Sequence, residues 1–417
     1  MDNPWNLVVV GGGAAGFFGA IHYAEQYAKK QGHSPRVLIL EKSGRVLSKV
    51  KVSGGGRCNV THDCHDPRAL SSHYPRGHRS LIGPFHRWSP TDTVDWFASR
   101  GVELKTEPDG RMFPTTDNSQ TIIDCLVGAA RRAGVTIRCS ESVTSIQLIK
   151  KDTSPRFALT TNQESKLESD AILIATGGTR LASGAKLAQS LGHALHPNVP
   201  SLFAFNIADP RIEELPGISV TDIHIRIPSA KLEASGPVLI THHGLSGPAV
   251  LKLSAWGARK LHSSDYRFSI QINWLPGIDA MTQLQQLRST WGKRRVASHS
   301  PFDAIPKRLW RNLCTAAGIP PDCLWSQVPK PSLQQLAHEL NHGEYQVTGK
   351  STNKDEFVTC GGVKLPDINL KSMESKLTPG LYFAGEILDI DGITGGFNFQ
   401  NAWTTGYLAG TAAAAQS

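Results

Sequence analysis

The sequence predicts an α/β fold in which one parallel sheet is begun near the N-terminus, interrupted by a β-rich and a helical segment, and completed near the C-terminus. Three observations predict it. The chain opens with an apolar strand that runs straight into a glycine-rich turn, Val8-Val9-Val10-Gly11-Gly12-Gly13-Ala14-Ala15-Gly16, and a second strand-like run, Arg36 to Leu40, ends on an acid, Glu41. After His196-Pro197 the texture changes to short β-branched runs, and from Ala280 to about His342 leucines, tryptophans and alanines recur at helical spacing. The last stretch reads again as strand, Gly-acid, glycine turn and small-residue helix, so both ends of the chain build one domain.

The opening turn has the physics of a dinucleotide site. Gly11 permits a tight turn, Gly13 lets the backbone approach a pyrophosphate, and Gly16 lets the following helix pack close to the strand. Ala14 and Ala15 begin that helix, whose free N–H groups and positive dipole end face the phosphates. Glu41 stands 25 positions after Gly16, with Lys42 beside it. That is near the spacing at which a carboxylate accepts hydrogen bonds from a ribose and disfavours a 2′-phosphate. Strand, turn, helix and terminal acid together predict a Rossmann-type unit that holds an adenosine diphosphate moiety.

Further along, Thr121 to Ala133 predicts an amphipathic helix stopped by Gly134, and Val135 to Cys139 predicts the next strand. Val143 to Leu148, Arg156 to Thr160 and Asp170 to Ala175 predict a meander that empties into Thr176-Gly177-Gly178. Ile223 to Ile227 and Phe268 to Ile272 mark the β-rich insertion. Leu284, Leu287, Trp291, Leu309 and Leu313 mark a small helical subdomain whose tryptophans pack a core. Leu381 to Ala384 is a strand ending in Gly385-Glu386, followed by Gly395-Gly396-Phe397-Asn398 and a closing helix from about Asn401 to Ala412.

A parallel sheet binds ligands at the carboxyl ends of its strands, where Gly11 to Gly16, Glu41, Thr176 to Gly178 and Gly385-Glu386 all fall. NAD alone leaves the C-terminal elements without a role, whereas FAD uses all four strand ends. Glu386 reaches its ribityl chain, and the helix entry at Asn398 directs N–H groups toward the flavin pyrimidine, where negative charge grows on reduction. A second glycine cluster, Ser53-Gly54-Gly55-Gly56-Arg57-Cys58-Asn59, follows Lys49 and Lys51 and can cradle an anion or face the isoalloxazine ring, with Cys58 packed near the flavin.

Composition narrows the classes. The 40% hydrophobic and 19% charged content is that of an ordinary globular protein. The N-terminal apolar stretch carries Asp2 and no Lys or Arg, unlike a signal peptide, and no run approaches the length of a membrane span, so a soluble protein is expected. Seven cysteines lie scattered without a CxxC pair or metal spacing, which fits a reducing cytoplasm and no metal site, although a Cys58–Cys64 disulfide is conceivable. The net charge of +9 is dispersed. Its densest clusters, Lys293-Arg294-Arg295 and Arg131-Arg132, lack interleaved aromatics, which counts against a nucleic-acid partner and leaves a small-molecule substrate as the expectation.

Ser53 to Asn59, Thr241-His242-His243-Gly244-Leu245-Ser246-Gly247-Pro248-Ala249, Thr359-Cys360-Gly361-Gly362-Val363 and Gly385 through Gln400 resemble the BaiN/YhiN-like flavoproteins, in order and over nearly the whole chain. Two stretches depart from that family's usual pattern: Arg45 to Lys49 replaces a common Gly-Arg-Lys, and Asp391 to Thr394 stands where many relatives have an aromatic. The resemblance implies a Rossmann-type FAD-binding domain in two parts, 1–195 and 363–417. It also implies an inserted β-barrel-like domain, 196–278 with 343–362, and a helical subdomain, 279–342. It further implies an FAD-dependent oxidoreductase, an NAD(P)H-dependent reductase of an activated C=C or C=O acting through flavin N5 hydride transfer. A second GxGxxG is absent, so NADH or NADPH would dock transiently. Two alternatives stay open: a flavin oxidase acting on a small amine with oxygen as acceptor, and a non-catalytic flavin-binding protein. The candidate catalytic groups are Arg57, Arg111, His242 and His243, against surface charge for the arginines and turn caps for the histidines.

Overall fold

Leu7 to Val10 are almost wholly buried, as a central strand of a parallel sheet requires. In the computed structural model, which describes residues 4–151, 154–178, 183–351 and 358–417, these residues belong to β1 (Trp5–Val10). The other strands of its sheet that matter for the site are β2 (Val37–Leu40), β3 (Thr136–Arg138), β4 (Val143–Lys151), β5 (Ser154–Thr161), β6 (Lys166–Ile174) and β7 (Leu381–Phe383). The order β7-β6-β1-β2-β3 is parallel throughout. β6 also pairs antiparallel with β5, and β5 with β4, which is the predicted meander. The late strand β7 thus completes the sheet that β1 begins.

The helices that position the site are α1 (Ala14–Gln31), α2 (Pro67–Ser71), α3 (His78–Arg87) and α4 (Phe397–Gln416). α1 buries Phe17, Phe18, Ile21 and Tyr23. α4 crosses it at close range because both contact stripes are small: a Cβ on Gly410 would lie 2.2 Å from the Gly19 carbonyl oxygen. α4 is longer than predicted at both ends. Gly396, at φ 92, caps it four residues earlier, and the alanine run after Thr411 carries it to Gln416.

Two units divide the chain, Met1–Val199 with Val358–Ser417, and Pro200–Phe357. The chain leaves the first unit along Leu195–Ser201 and re-enters along Val358–Val363, and these two strands pair. The re-entry lies a few residues before the boundary expected from sequence.

The second unit contains a seven-stranded antiparallel sheet whose path runs from Gly343–Val347 to Gly349–Lys350. Those edge strands are consecutive in the chain, separated by Thr348, so the sheet curls until its edges meet. Ile223 and Ile225 of that sheet share one core with Leu284, Leu309, Leu313 and the buried Trp274, Trp310 and Trp325, so the β-rich and helical segments form a single packed body. Among the described residues no helix is long and apolar enough to cross a membrane.

Candidate functional site

At the end of β1, Gly11 adopts φ 114, and a Cβ there would lie 2.4 Å from the Ala175 carbonyl oxygen. Gly16 is equally constrained: its Cβ would stand 2.1 Å from the Gly11 carbonyl oxygen. Gly13 is the opposite case, with ordinary φ of −90° and nothing within 4 Å of an added Cβ. It caps α1 without a side-chain hydrogen bond, so open space lies beside the helix N-terminus at Gly13, while Ala14 and Ala15 are themselves buried. Glu41 ties this turn to the end of β2. One carboxylate oxygen accepts from the Gly12 amide at 2.7 Å and the other from the Ser43 amide at 2.9 Å. Lys42 is exposed beside it.

Glu386 gathers the next set of residues. Its carboxylate accepts from Lys49 Nζ at 2.5 Å, from the Gly178 amide at 3.2 Å and from the Thr359 amide at 3.0 Å. Thr176, Gly177 and Gly178 after β6 are thereby joined to Gly385-Glu386 after β7. A Cβ on Gly178 would strike both Thr359 and Glu386, so the approach is tight.

The second glycine cluster is a single turn from Ser53 to Gly56, in which Gly54, Gly55 and Gly56 have φ of 57, 68 and 86°. Three consecutive left-handed residues demand glycine. An added Cβ on Gly55 or Gly56 would meet nothing within 4 Å, so this backbone also faces open space.

Arg57 lies over the Phe113 ring at 3.9 Å and donates to Glu107 at 2.6 Å, with Asp117 at 3.5 Å. Arg111 donates to the same Glu107 at 2.8 Å and to Asp109 at 2.7 Å. The two arginines therefore form one cluster with three carboxylates. Cys58 is buried at φ 64, and burial pushes its thiol up to about 12, so it stays protonated. It is a free cysteine, as is Cys64, and the conceivable disulfide between them is not formed.

Asn59 connects this turn to the C-terminal loop: its amide donates to the Thr61 carbonyl at 3.0 Å and accepts from the Gly396 amide at 2.9 Å. Gly395 and Gly396 both have positive φ, and Gly396 caps α4 without a side-chain hydrogen bond. Asn398 closes the loop by bonding both the amide and the carbonyl of Gly392, at 2.8 and 2.9 Å.

Two imidazoles stack against Phe397, His62 at 4.6 Å and His73 at 4.3 Å, with their own centroids 6.0 Å apart, so they crowd one side of its ring rather than enclose it. The Tyr74 hydroxyl donates to the Phe397 carbonyl at 2.5 Å. Arg76 holds Asp391, whose side chain is fully buried, in a bidentate ion pair. In the sequence Asp391 stands out only as the start of a stretch that departs from the family pattern, and no role is assigned there to His62, His73, Tyr74 or Arg76. The signal that could have found His73, Tyr74 and Arg76 is the density of His and Arg between His65 and Arg87; no such signal marks His62 or the partner role of Asp391.

His242 and His243 belong to the other unit. They occupy the turn between Leu232–Thr241 and Gly244–Ser246, where the His243 carbonyl accepts from the Ile207 amide at 2.8 Å. With Asp209, Glu213 and Glu214 they line a hollow of about 410 Å³.

The residues of the first unit fit FAD. The helices that open at Gly13 and Gly396, at the carboxyl end of the sheet, do so without side-chain caps, as does α3 at Gly77, and Gly13, Gly55 and Gly56 leave space that a side chain would fill. Residues 5–412 match the family model described as HI0933-like protein Rossmann domain. The chain is 31% identical over 419 residues to the ribosomal RNA dihydrouridine synthase of Escherichia coli K12, covering 97% of this chain and 96% of that protein. It is 28% identical over 417 residues to the 3-dehydro-bile acid delta(4,6)-reductase of Clostridium scindens, covering 97% and 98%. In fold it is similar to the 3-ketosteroid-delta4-(5alpha)-dehydrogenase of Rhodococcus jostii RHA1, with a TM-score of 0.54 and 15% identity over 99% of this chain and 97% of that one.

Proposed function

The chain belongs to the HI0933-like family of Rossmann-fold flavoproteins, and from that premise we propose that it is an FAD-dependent reductase of a carbon–carbon double bond conjugated to a carbonyl. The observation that carries this reading is the pair of uncapped helix N-termini, α1 at Gly13 and α4 at Gly396, built into one unit with the open backbone of Gly55 and Gly56. Bound FAD supplies the hydride. The chain supplies everything around it. The α1 N-terminus takes the pyrophosphate, Glu41 the ribose, and the α4 N-terminus stabilises negative charge near the ring by about 0.3–1 kcal/mol. Phe397, against whose ring His62 and His73 both stack, is the first residue of that helix.

The names of two relatives share one chemical operation. Dihydrouridine is uridine with its 5,6 double bond saturated, and that bond is conjugated to the C4 carbonyl. A delta(4,6) reduction of a 3-dehydro steroid likewise saturates bonds conjugated to C3. In both cases hydride addition places negative charge on a carbonyl oxygen. Of the two substrate classes we favour a uracil base within ribosomal RNA, named for the relative of higher identity, against the expectation drawn from the dispersed charge; a bile acid, with its single carboxylate, is the second. NADH or NADPH is the electron source in this reading.

Anaerobic mixing of the FAD-loaded protein with NADH and with NADPH tests it. One of them should bleach the flavin, and unmodified ribosomal RNA should then restore its colour while gaining dihydrouridine. Bleaching by a small amine alone, with colour returned only by oxygen, would replace this reading with an oxidase.

A further inference from the structure

The segment His65–Arg87 places four arginines and four histidines against one acid, Asp66, within 23 residues. Part of this charge is structural. His73 stacks on Phe397, Arg76 pairs with buried Asp391, and the His73 carbonyl accepts from the Ile393 amide at 3.0 Å. These contacts fasten the loop between α2 and α3 to the loop that opens α4. The rest of the charge points outward. α3 buries Leu81, Pro84 and Phe85 and exposes His78, Arg79, His86 and Arg87, while α2 exposes Arg68.

The two basic pairs of α3 are eight residues apart, a rise of about 12 Å, and at about 100° per residue Arg79 and His86 fall close to one line while His78 and Arg87 flank it. Among the described residues no carboxylate pairs with Arg68, Arg79 or Arg87. Arg87 donates instead to the carbonyl of Lys371, which brings another exposed cation to the same edge. The result is a rigid basic strip anchored to the loop at the start of α4.

We infer that the outer face of α2 and α3 binds the sugar-phosphate backbone of the RNA whose base is reduced. Arginines and histidines repeated along a helix suit repeated phosphates, and the anchoring holds the bound strand beside the α4 entry. The inference rests on the ribosomal RNA reading above. It locates the surface that reading requires.

The test is a fluorescence-anisotropy titration of FAD-loaded protein against labelled, in vitro transcribed ribosomal RNA, between about 50 and 200 mM salt. The comparison is with an Arg68→Gln/Arg79→Gln double variant. Both side chains are exposed and outside the cofactor site, so the flavin spectrum and its bleaching by NAD(P)H should be unchanged. Affinity should fall roughly tenfold, and the salt slope should lessen by about 1.4, two phosphates at about 0.7 each. Wild-type affinity and slope in the variant would overturn the surface while leaving the RNA reading intact. If the unmodified protein binds no RNA although NAD(P)H bleaches its flavin, the RNA reading falls and the surface with it. Equal binding of polyglutamate, lost in the same variant, would reassign the strip to an acidic protein and overturn the inference.

Discussion

At the scale of single residues, glycines that look alike in the sequence carry different constraints. Gly11→Ala forces a side chain to φ 114 and to 2.4 Å from the Ala175 carbonyl oxygen, so it should destabilise the fold itself. Gly13→Val places its Cβ, at φ −90°, where nothing lies within 4 Å, in the space assigned to pyrophosphate. The Gly13→Val protein should therefore keep its melting temperature in the flavin-free state to within a few degrees and lose nearly all bound flavin. The Gly11→Ala protein should melt lower even without flavin. A Gly13→Val protein with a full flavin complement, read from its visible absorbance, would contradict the placement. The opening turn was legible because its spacing is steric and local. The stack of His62 and His73 on Phe397 was not, because it joins residues more than 300 positions apart and leaves no local pattern. The position of Glu386 was legible, but its bonds to Gly178 and Thr359 exist only once β6 and β7 lie side by side.

Among the elements, α1 does more than present its N-terminus. Midway along it, His22 is buried with Phe18, Trp88 and Trp96 around its ring, and its Nε2 has no hydrogen-bond partner among the described residues. Burial first, and the nearby Arg100 guanidinium second, push its pKa down to about 3. The folded protein thus keeps His22 neutral, while the unfolded chain takes up a proton near the ordinary value of 6.5. Stability from this group is complete above pH 6.5 and is lost as pH falls toward 3, by about 2 kcal/mol at pH 5. Urea titrations from pH 7 to 5 should show that loss, and His22→Phe should flatten it by about the same amount. An unchanged slope in the variant would place the acid sensitivity elsewhere. Periodicity could not reveal this role, because a histidine among aromatics reads the same whether its ring is wet or dry. Helix existence was legible for α4 from its small residues, but its start was not. Gly396 becomes a cap only through its left-handed turn against Thr61.

For the molecule as a whole, repeated glycine motifs at both ends made the interrupted domain legible, since each half sheet needs the other to bind one extended ligand. The joining of the β-rich and helical segments was not legible. Period 2 and period 3.6 identify elements but not which core they share, and here Ile223, Leu309 and Trp310 pack into one. That shared core has a consequence for dissection. The first unit has its own core, from β1 and α1 through β7 and α4, and the strands at its two break points, Leu195–Ser201 and Val358–Val363, pair with each other. The ends of the excised segment therefore lie close enough for a short glycine-serine linker. A chain joining Val199 to Val358 through such a linker should fold and retain the flavin spectrum, because the FAD contacts assigned to Gly13, Glu41, Gly55, Glu386 and the α4 N-terminus all lie within it. Residues 200–357 alone should unfold in one cooperative transition, followed by the fluorescence of Trp274, Trp310 and Trp325. Separate transitions for the strands and the helices of that fragment would show that its core is divisible. Loss of flavin from the linked unit would show that the second unit takes part in holding the cofactor.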